Sequence, residues 1–213
     1  MLVHLLNATR AELGHDVKLH NFLTSDLGSP LPLHISLSRP LSLTTGQKDD
    51  FLEKITNTIH SSNISVFHVR PNGLRWYKSP DSARTFLILQ VTSNAHNDGD
   101  VPGPMNPELT NLLTRCNTVA ASFNQPILYE RNQTEPVGGC FHISVGWTFD
   151  MPSTEIPAGT GNLLRDSKFK GIQSWEVEVS GIKVKIGNVI THIPLSELGS
   201  GSSLSTRLAS VLE

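Results

Sequence analysis

The chain has 213 residues and a mass of 23.3 kDa, and 38% of its residues are hydrophobic, which is enough for one large domain or two small ones. Seventeen basic residues against nineteen acidic ones give a net charge of −2, which excludes a polybasic protein that binds mainly by neutralising many phosphates. No apolar run approaches the ~20 residues that cross a bilayer, so we expect no membrane partner.

Two cysteines, Cys116 and Cys140, are too few for a disulfide framework or a four-cysteine zinc site. The first thirteen residues lack the charge order, apolar block and cleavage site of a secretory signal. A reducing compartment, the cytosol or the nucleus, is therefore favoured.

The first half of the chain alternates helical and strand patterns. A weak helical pattern comes first, and Thr44 or Thr45 is a candidate cap for a second helix with Phe51, Ile55 and Ile59 on one stripe. A Pro-Asn-Gly turn is expected to separate two strands after that helix. In chain order the pattern predicts a helix over 2–13, a strand over 33–38, a helix over 47–61, and strands over 64–70, 73–78 and 85–91.

The second half repeats this order. A helix opens at Pro107, and Gly187-Asn188 is a candidate hairpin turn. The pattern predicts loops over 94–104, 124–139 and 151–161, a strand over 141–147, a short helix after 161, strands over 175–179, 182–186 and 189–194, and a terminal helix over 204–212. Because strand–helix–strands occurs twice, we expect residues 1–213 to form one two-lobed α+β domain with a flexible C-terminus over 199–213.

Two strictly alternating strands carry the candidate chemistry. Side chains at i and i+2 of a strand share a face, so His34 lies beside Ser36, and His142 lies beside Ser144. Nine histidines and forty Ser/Thr residues give under two His-x-Ser/Thr matches by chance, and three occur. The third match, His60-Ser61-Ser62, falls at a predicted helix end. The residues alone allow two interpretations of the His34 and His142 strands. Either they form one paired functional site, or they are two separate strand faces exposed to solvent.

Longer sequence motifs, which we call words, surround or accompany the two His-x-Ser pairs. Together they resemble the 2H phosphoesterase superfamily and, within it, the U6 small nuclear RNA 3′-end-processing phosphodiesterases. The resemblance spans about residues 33 to 195. The words that carry it are Leu33-His34-Ile35-Ser36-Leu37-Ser38, Arg84-Thr85-Phe86-Leu87, Tyr129-Glu130, Phe141-His142-Ile143-Ser144-Val145-Gly146-Trp147, and Lys185-Ile186-Gly187-Asn188 through Ile193-Pro194-Leu195.

The resemblance implies a fold of two pseudo-symmetric lobes, each with an antiparallel sheet and helices, and an active-site cleft between them. It implies a 3′-to-5′ exoribonuclease that trims the oligouridine tail of U6 small nuclear RNA without a metal or other cofactor. His142 is expected to act as the base and His34 as the acid, while Ser36 and Ser144 bind the phosphate. The expected partner is an RNA 3′ end, the expected location is the nucleus, and the expected state is a monomer.

Two departures from the family pattern bear on these expectations. Family members carry a further strand and a polar tail before the first helix, so we expect an incomplete first lobe here. Thirteen residues separate Tyr129 from His142, which is more than in the family. Tyr129 is either a stacking partner for the terminal base or a surface tyrosine.

Several neighbouring residues are predicted to have structural or surface roles rather than functional ones. Trp147 is predicted to pack in the core or between the lobes, and Arg39 to be a solvated strand end. A basic run that could guide the RNA backbone is read mainly as ordinary solvated surface. That run consists of Arg70, Arg75, Lys78 and Arg84.

Three other functions remain open from the sequence. One is an esterase for 2′,3′-cyclic phosphates on nucleotides or RNA ends, and another is a non-catalytic module that binds RNA ends. The third is a zinc hydrolase, which needs three or more ligands where the two strands offer only His34 and His142. The modest net charge predicts end-directed RNA binding with mild salt sensitivity.

Overall fold

The computed structural model describes residues 1–14, 17–80, 82–93, 104–129, 136–149 and 156–197. Its helices are α1 (Leu2–Leu13), α2 (Lys48–His60), α3 (Pro107–Ser122), α4 (Ile156–Leu163) and α5 (Lys170–Gln173). Its strands are β1 (His20–Asn21), β2 (Phe67–Lys78), β3 (Thr85–Ser93), β4 (His142–Thr148), β5 (Val177–Val179), β6 (Gly181–Ile186) and β7 (Val189–Pro194).

The strands form two antiparallel sheets, as the α+β class predicts. The larger sheet has the order β1-β4-β3-β2-β5, and the smaller one is the β6-β7 hairpin. Gly187, with φ of 60°, opens the hairpin turn between Ile186 and Val189, which pair with each other. The Gly-Asn turn predicted from the sequence is thus confirmed.

The core lies on one face of the larger sheet. The inward side chains of β3 and β4 alternate along each strand and pack with the apolar stripes of α1, α2 and α3 in one hydrophobic cluster. The cluster also includes Ile193 of β7 and Leu195 just after it, so both sheets share it. The other face of β4 is left for half-buried polar side chains, and this face carries the site.

The predicted break in β2 is wrong. Pro71-Asn72-Gly73 does not form a turn but a bulge, because Pro71 pairs with Val91 and Gly73 pairs with Gln90. The strand tolerates this proline because β5 pairs only with residues 67–69, so the second edge of β2 has no strand partner at Pro71.

The sequence reading also misses two elements. Helix α4 begins at Ile156, inside the predicted loop 151–161, because two glycines hid its helical character. At one of them, Gly161, an added Cβ would lie 3.4 Å from the carbonyl oxygen of Leu74, an ordinary van der Waals distance, so this helix lies directly against β2. Strand β1 has only two residues, too few to give a periodic pattern.

The segment over 33–38 is not a full strand, and it bends at residues 37 and 38. It makes one antiparallel bridge, between Ile35 and Ile143 of β4. Pro32 and Pro40 flank it and have no N–H to extend a ladder, which explains the short pairing. The predicted alternation survives, since Leu33, Ile35 and Leu37 are half-buried and the residues between them are exposed.

Some predictions fall outside the described residues. These are the flexible C-terminus over 199–213, the terminal helix over 204–212, and most of the loop over 94–104. Among the helices that the structure describes, none combines the length and apolar character needed to span a bilayer.

Candidate active site

The Ile35–Ile143 bridge brings the two His-x-Ser words together. In an antiparallel pair, the residues on either side of a bridge lie opposite each other in reverse order, so each histidine lies opposite the serine of the other word. Opposite residues point to the same face, and diagonal neighbours are about 7–8 Å apart between Cα atoms. The predicted four-residue group therefore forms one cluster: His34, Ser36, His142 and Ser144.

The cluster lines a cleft of about 810 Å³. His34 and Ser36 are exposed, whereas His142 and Ser144 are half-buried on β4. The cleft is also bordered by Lys185 of β6, so the smaller sheet contributes one wall. A substrate in this cleft would meet one histidine from the solvent side and the other from the sheet.

The environment of His142 fixes its tautomer. Its Nδ1 lies 2.7 Å from the carbonyl oxygen of Cys140. A carbonyl oxygen only accepts hydrogen bonds, so Nδ1 carries the hydrogen and Nε2 of the neutral ring holds the free lone pair.

The pKa of His142 is lowered from its ordinary value of 6.5, chiefly because the ring is buried. The positive charge of Arg75 and the proximity of His34 lower this pKa further, while the hydrogen bond to Cys140 opposes the shift. A histidine that is neutral at pH 7 with a free Nε2 is suited to accept a proton.

Tyr129 supports the same carbonyl. Its hydroxyl donates a hydrogen bond of 3.1 Å to the oxygen of Cys140, and its ring packs edge-on against Phe141 with 6.1 Å between centroids. Burial raises the pKa of the Tyr129 phenol, which keeps the hydroxyl a donor. Tyr129 borders the cleft as predicted, although its hydroxyl already has a partner there. Its role in stacking on a base stays a prediction.

The turn before β4 is also held from the sheet. Arg75 and Gln90 both donate hydrogen bonds to the carbonyl oxygen of Gly139, at 3.2 and 2.7 Å. Two consecutive carbonyls, those of Gly139 and Cys140, are therefore fixed by side chains from three elements. This arrangement fixes where His142 enters the cleft.

Several cleft residues were not singled out from the sequence. The ring of Tyr77 lies 5.5 Å from that of His142, and Phe22 and Phe86 stack with 6.1 Å between centroids at the cleft wall. Lys185 appeared only as part of a family word, and Phe22 follows a strand too short to detect. Arg39 and Lys78, which were predicted to lie on the solvated surface, border the cleft.

Trp147 does not join the hydrophobic core, which is the first of the two places predicted for it. It is half-buried, with His20 stacked on it at 4.1 Å and the guanidinium carbon of Arg84 at 4.4 Å from its centroid. The pairing with β3 shifts by one residue between Leu87 and Ile88, which turns Trp147 onto the same face as Ser144. A bulge of this kind leaves no signal in the period-two pattern.

Potential metal ligands do not cluster in the part of the chain that the structure describes. No three of its His, Cys, Asp or Glu side chains stand together as a metal-binding group. Cys116 and Cys140 are both buried and make no disulfide.

Comparison with known proteins defines the family. Residues 1–194 match the family model described as "HVSL: Uncharacterised conserved protein". This chain belongs to the HVSL family. A relative from Neurospora crassa, named U6 snRNA phosphodiesterase 1, is 36% identical over 188 residues, which cover 82% of this chain and 50% of that protein. The HVSL chain therefore spans about half the length of the curated relative that it matches, and the resemblance drawn from its sequence words is confirmed.

Solved structures confirm the fold. The structure of Kluyveromyces marxianus Usb1 with uridine monophosphate matches this HVSL chain with a TM-score of 0.60 at 16% identity, covering 91% of this chain and 90% of that one. A second structure of Kluyveromyces marxianus Usb1 matches with a TM-score of 0.58 at the same identity and coverage. This chain thus has the fold of Kluyveromyces marxianus Usb1, which confirms the fold that the resemblance implied.

Proposed function

We propose that this HVSL chain is an RNA phosphodiesterase that removes nucleotides from an RNA 3′ end, with the oligouridine tail of U6 small nuclear RNA as its substrate. The observation that carries the proposal is the pairing of a half-buried, neutral His142 with an exposed His34 across one cleft, each opposite a serine. The name of the Neurospora relative supports the substrate.

The reaction follows from the two imidazoles. Nε2 of His142 takes the proton of the penultimate 2′-hydroxyl, whose oxygen attacks the adjacent phosphorus. The bond to the terminal 5′-oxygen breaks, and His34 donates a proton to that oxygen. The products are a released nucleoside and a shortened RNA with a 2′,3′-cyclic phosphate. With the roles exchanged, the same pair allows water to open the cyclic phosphate.

The two serines complete the site. The hydroxyls of Ser36 and Ser144 are proposed to donate hydrogen bonds to the non-bridging phosphate oxygens, where negative charge develops in the transition state. Tyr129 is proposed to stack on the terminal base with its ring while its hydroxyl stays on the Cys140 carbonyl. In this scheme no cofactor or metal takes part.

The setting of the enzyme is proposed with it. The substrate places the protein in the nucleus, and a monomer suffices because both histidines come from one chain. The shared hydrophobic cluster of the two sheets supports one two-lobed domain. Limited proteolysis is expected to leave the described sheets in one fragment, and separation into two stable fragments would contradict it.

The direct test is incubation with an RNA ending in oligouridine, in the presence of a chelator, followed by analysis of product lengths and end groups. A ladder shortened from the 3′ end with cyclic or monophosphate ends is expected. His34→Ala and His142→Ala should each abolish it, whereas His60→Ala, in the third His-x-Ser match, should not. Activity only on preformed cyclic phosphates would indicate the esterase. Binding of the RNA without turnover would indicate the non-catalytic module. Loss of activity in chelator and its recovery on addition of zinc would indicate a zinc hydrolase.

A further inference from the structure

A group of flat side chains lies on the cleft face of β4 beyond the two histidine words. Trp147 is its centre, and its indole carries two stacked neighbours and one edge-on ring. We call this group the outer stack, and it consists of His20, Trp147, Arg84 and Phe149. It includes the arginine of the Arg-Thr-Phe-Leu word, which the proposed reaction does not use.

The outer stack is open to solvent. Phe149 is 54% exposed and meets Trp147 edge-on with 4.9 Å between centroids. Arg84 is also exposed, and its guanidinium lies 4.4 Å from the Trp147 centroid and 5.9 Å from that of Phe149. Packing alone does not account for a large apolar ring and a cation side by side on the surface.

The ion pairs of the described residues do not include Arg84. Its backbone carbonyl accepts a hydrogen bond from Ser79, but within the described ranges no carboxylate pairs with its guanidinium. An arginine stacked on an aromatic ring keeps its N–H groups in the ring plane, where they can bind a phosphate, and exposes a flat outer surface to a base.

The outer stack continues the cleft rather than standing apart from it. Phe22 and Phe86, which border the cleft, stack on each other, and Phe86 is the direct strand partner of Trp147. With about 3.3 Å per residue along β4, Trp147 lies roughly 10 Å beyond Ser144. Aromatic side chains therefore stand at paired strand positions where the cleft wall meets the outer stack.

The direction of trimming indicates which part of an RNA would reach the outer stack. The proposed reaction acts at the last phosphate of a 3′ end, so RNA longer than two nucleotides extends only on the 5′ side of the scissile bond. The outer stack lies beyond Ser144, at the end of β4 away from His142. We propose that the outer stack binds the bases and phosphates of single-stranded RNA on the 5′ side of the scissile bond, an inference that rests on the proposed function.

The test measures affinity and turnover separately. Hexauridine and diuridine, each with a 2′-deoxy penultimate nucleotide and checked for integrity on a gel, are titrated against the wild-type chain, Arg84→Gln and Phe149→Ser. Both variants should raise the Kd for hexauridine about tenfold and leave that for diuridine within twofold. Lys54→Gln, which removes a cation from the ring of Phe123 on the helical side, should change neither.

Cleavage of unmodified diuridine separates the two proposals. Turnover at the wild-type rate in both variants, together with weaker hexauridine binding, supports the outer stack as an upstream RNA site. Unchanged hexauridine affinity in both folded variants would overturn it and leave the stack as packing between strands. If the wild-type chain cleaves nothing, the proposed function fails, and the hexauridine titration still decides whether the outer stack binds RNA.

Discussion

At the scale of single residues, the site depends on one carbonyl. The oxygen of Cys140 accepts hydrogen bonds from both His142 and Tyr129. The orientation of the His142 ring therefore depends on a tyrosine thirteen positions before it in the sequence. This contact gives the Tyr-Glu word a positioning role in addition to any contact with RNA. It also explains how a tyrosine distant in sequence can still lie at the cleft.

The lowered pKa of His142 predicts the acid limb of the pH profile. The base must be neutral to accept a proton, so activity should be lost as the pH falls through its pKa in the free enzyme. Because that pKa is below its usual 6.5, the acid limb of kcat/KM should have its midpoint below 6.5. A midpoint above 6.5, measured on diuridine, would indicate that His142 is not the base.

Removing the Tyr129 hydroxyl should shift this limb. In Tyr129→Phe the ring remains, but the Cys140 carbonyl loses one of its donors, so its bond to the His142 ring strengthens and raises the pKa of that ring. We expect the acid limb to move to higher pH and kcat to fall several-fold, with KM nearly unchanged. An unaltered pH profile would show that the hydroxyl does not position His142.

At the scale of elements, Asn106 connects the parts that carry the site. It precedes α3 with φ of 53° and is fully buried, and its side chain binds β3 at two points and the turn before β4 at a third. The amide oxygen accepts from the backbone N–H of Ser93, and the amide nitrogen donates to the carbonyls of Val91 and Gly138. Asn106 therefore ties the turn that presents Cys140 to the sheet, in addition to the bonds that Arg75 and Gln90 make to Gly139.

Substituting Asn106 should destabilise the whole chain. Asn106→Ala removes three buried hydrogen bonds and leaves their backbone partners unsatisfied, so the free energy of unfolding should fall by about 3 kcal/mol. Asn111→Ala, an exposed position on α3, should change it by less than about 0.5 kcal/mol. Urea titration of both variants measures the difference, and equal midpoints would refute the role of Asn106.

The sequence predicted elements where one period dominates. The stripes of α2 and α3, the alternation of β4 and the Gly-Asn hairpin all follow from local patterns. The bulges at Pro71–Gly73 and Leu87–Ile88 were missed because only pairing with a neighbouring strand distinguishes a bulge from a turn or a regular strand. The alternation of each word fixes the face of its histidine and serine, but the pairing of the two words into one site was implied only by the family resemblance. Tyr77 and Lys185 required tertiary structure.

At the scale of the whole molecule, the cleft combines two sheets on a chain with a net charge of −2. The larger sheet supplies His142 and Ser144, and the smaller sheet supplies Lys185. Under the proposed function, the cations that border the cleft, Arg39, Lys78 and Lys185, hold the RNA end in place of the broad basic surface that the composition excludes. Binding of RNA should accordingly weaken only modestly as salt rises.

Lys185 tests the contribution of the smaller sheet. Lys185→Gln removes a cation from the cleft wall, so KM for hexauridine should rise several-fold. The slope of log KM against log salt concentration should fall by about 1, which is the effect of losing one phosphate contact. Lys183→Gln, two residues earlier on the same strand and outside the cleft lining, provides the matched control. Equal effects of the two substitutions would show that only net charge matters.

The central claim is that a neutral His142 activates the penultimate 2′-hydroxyl of an RNA 3′ end. The most direct test compares oligouridine with the same RNA carrying a single 2′-deoxy nucleotide in the penultimate position, read as release of the last nucleoside. The account predicts trimming of the first RNA and no release from the second. Efficient removal of the last nucleotide from the deoxy substrate would contradict it, because the attacking oxygen is then absent.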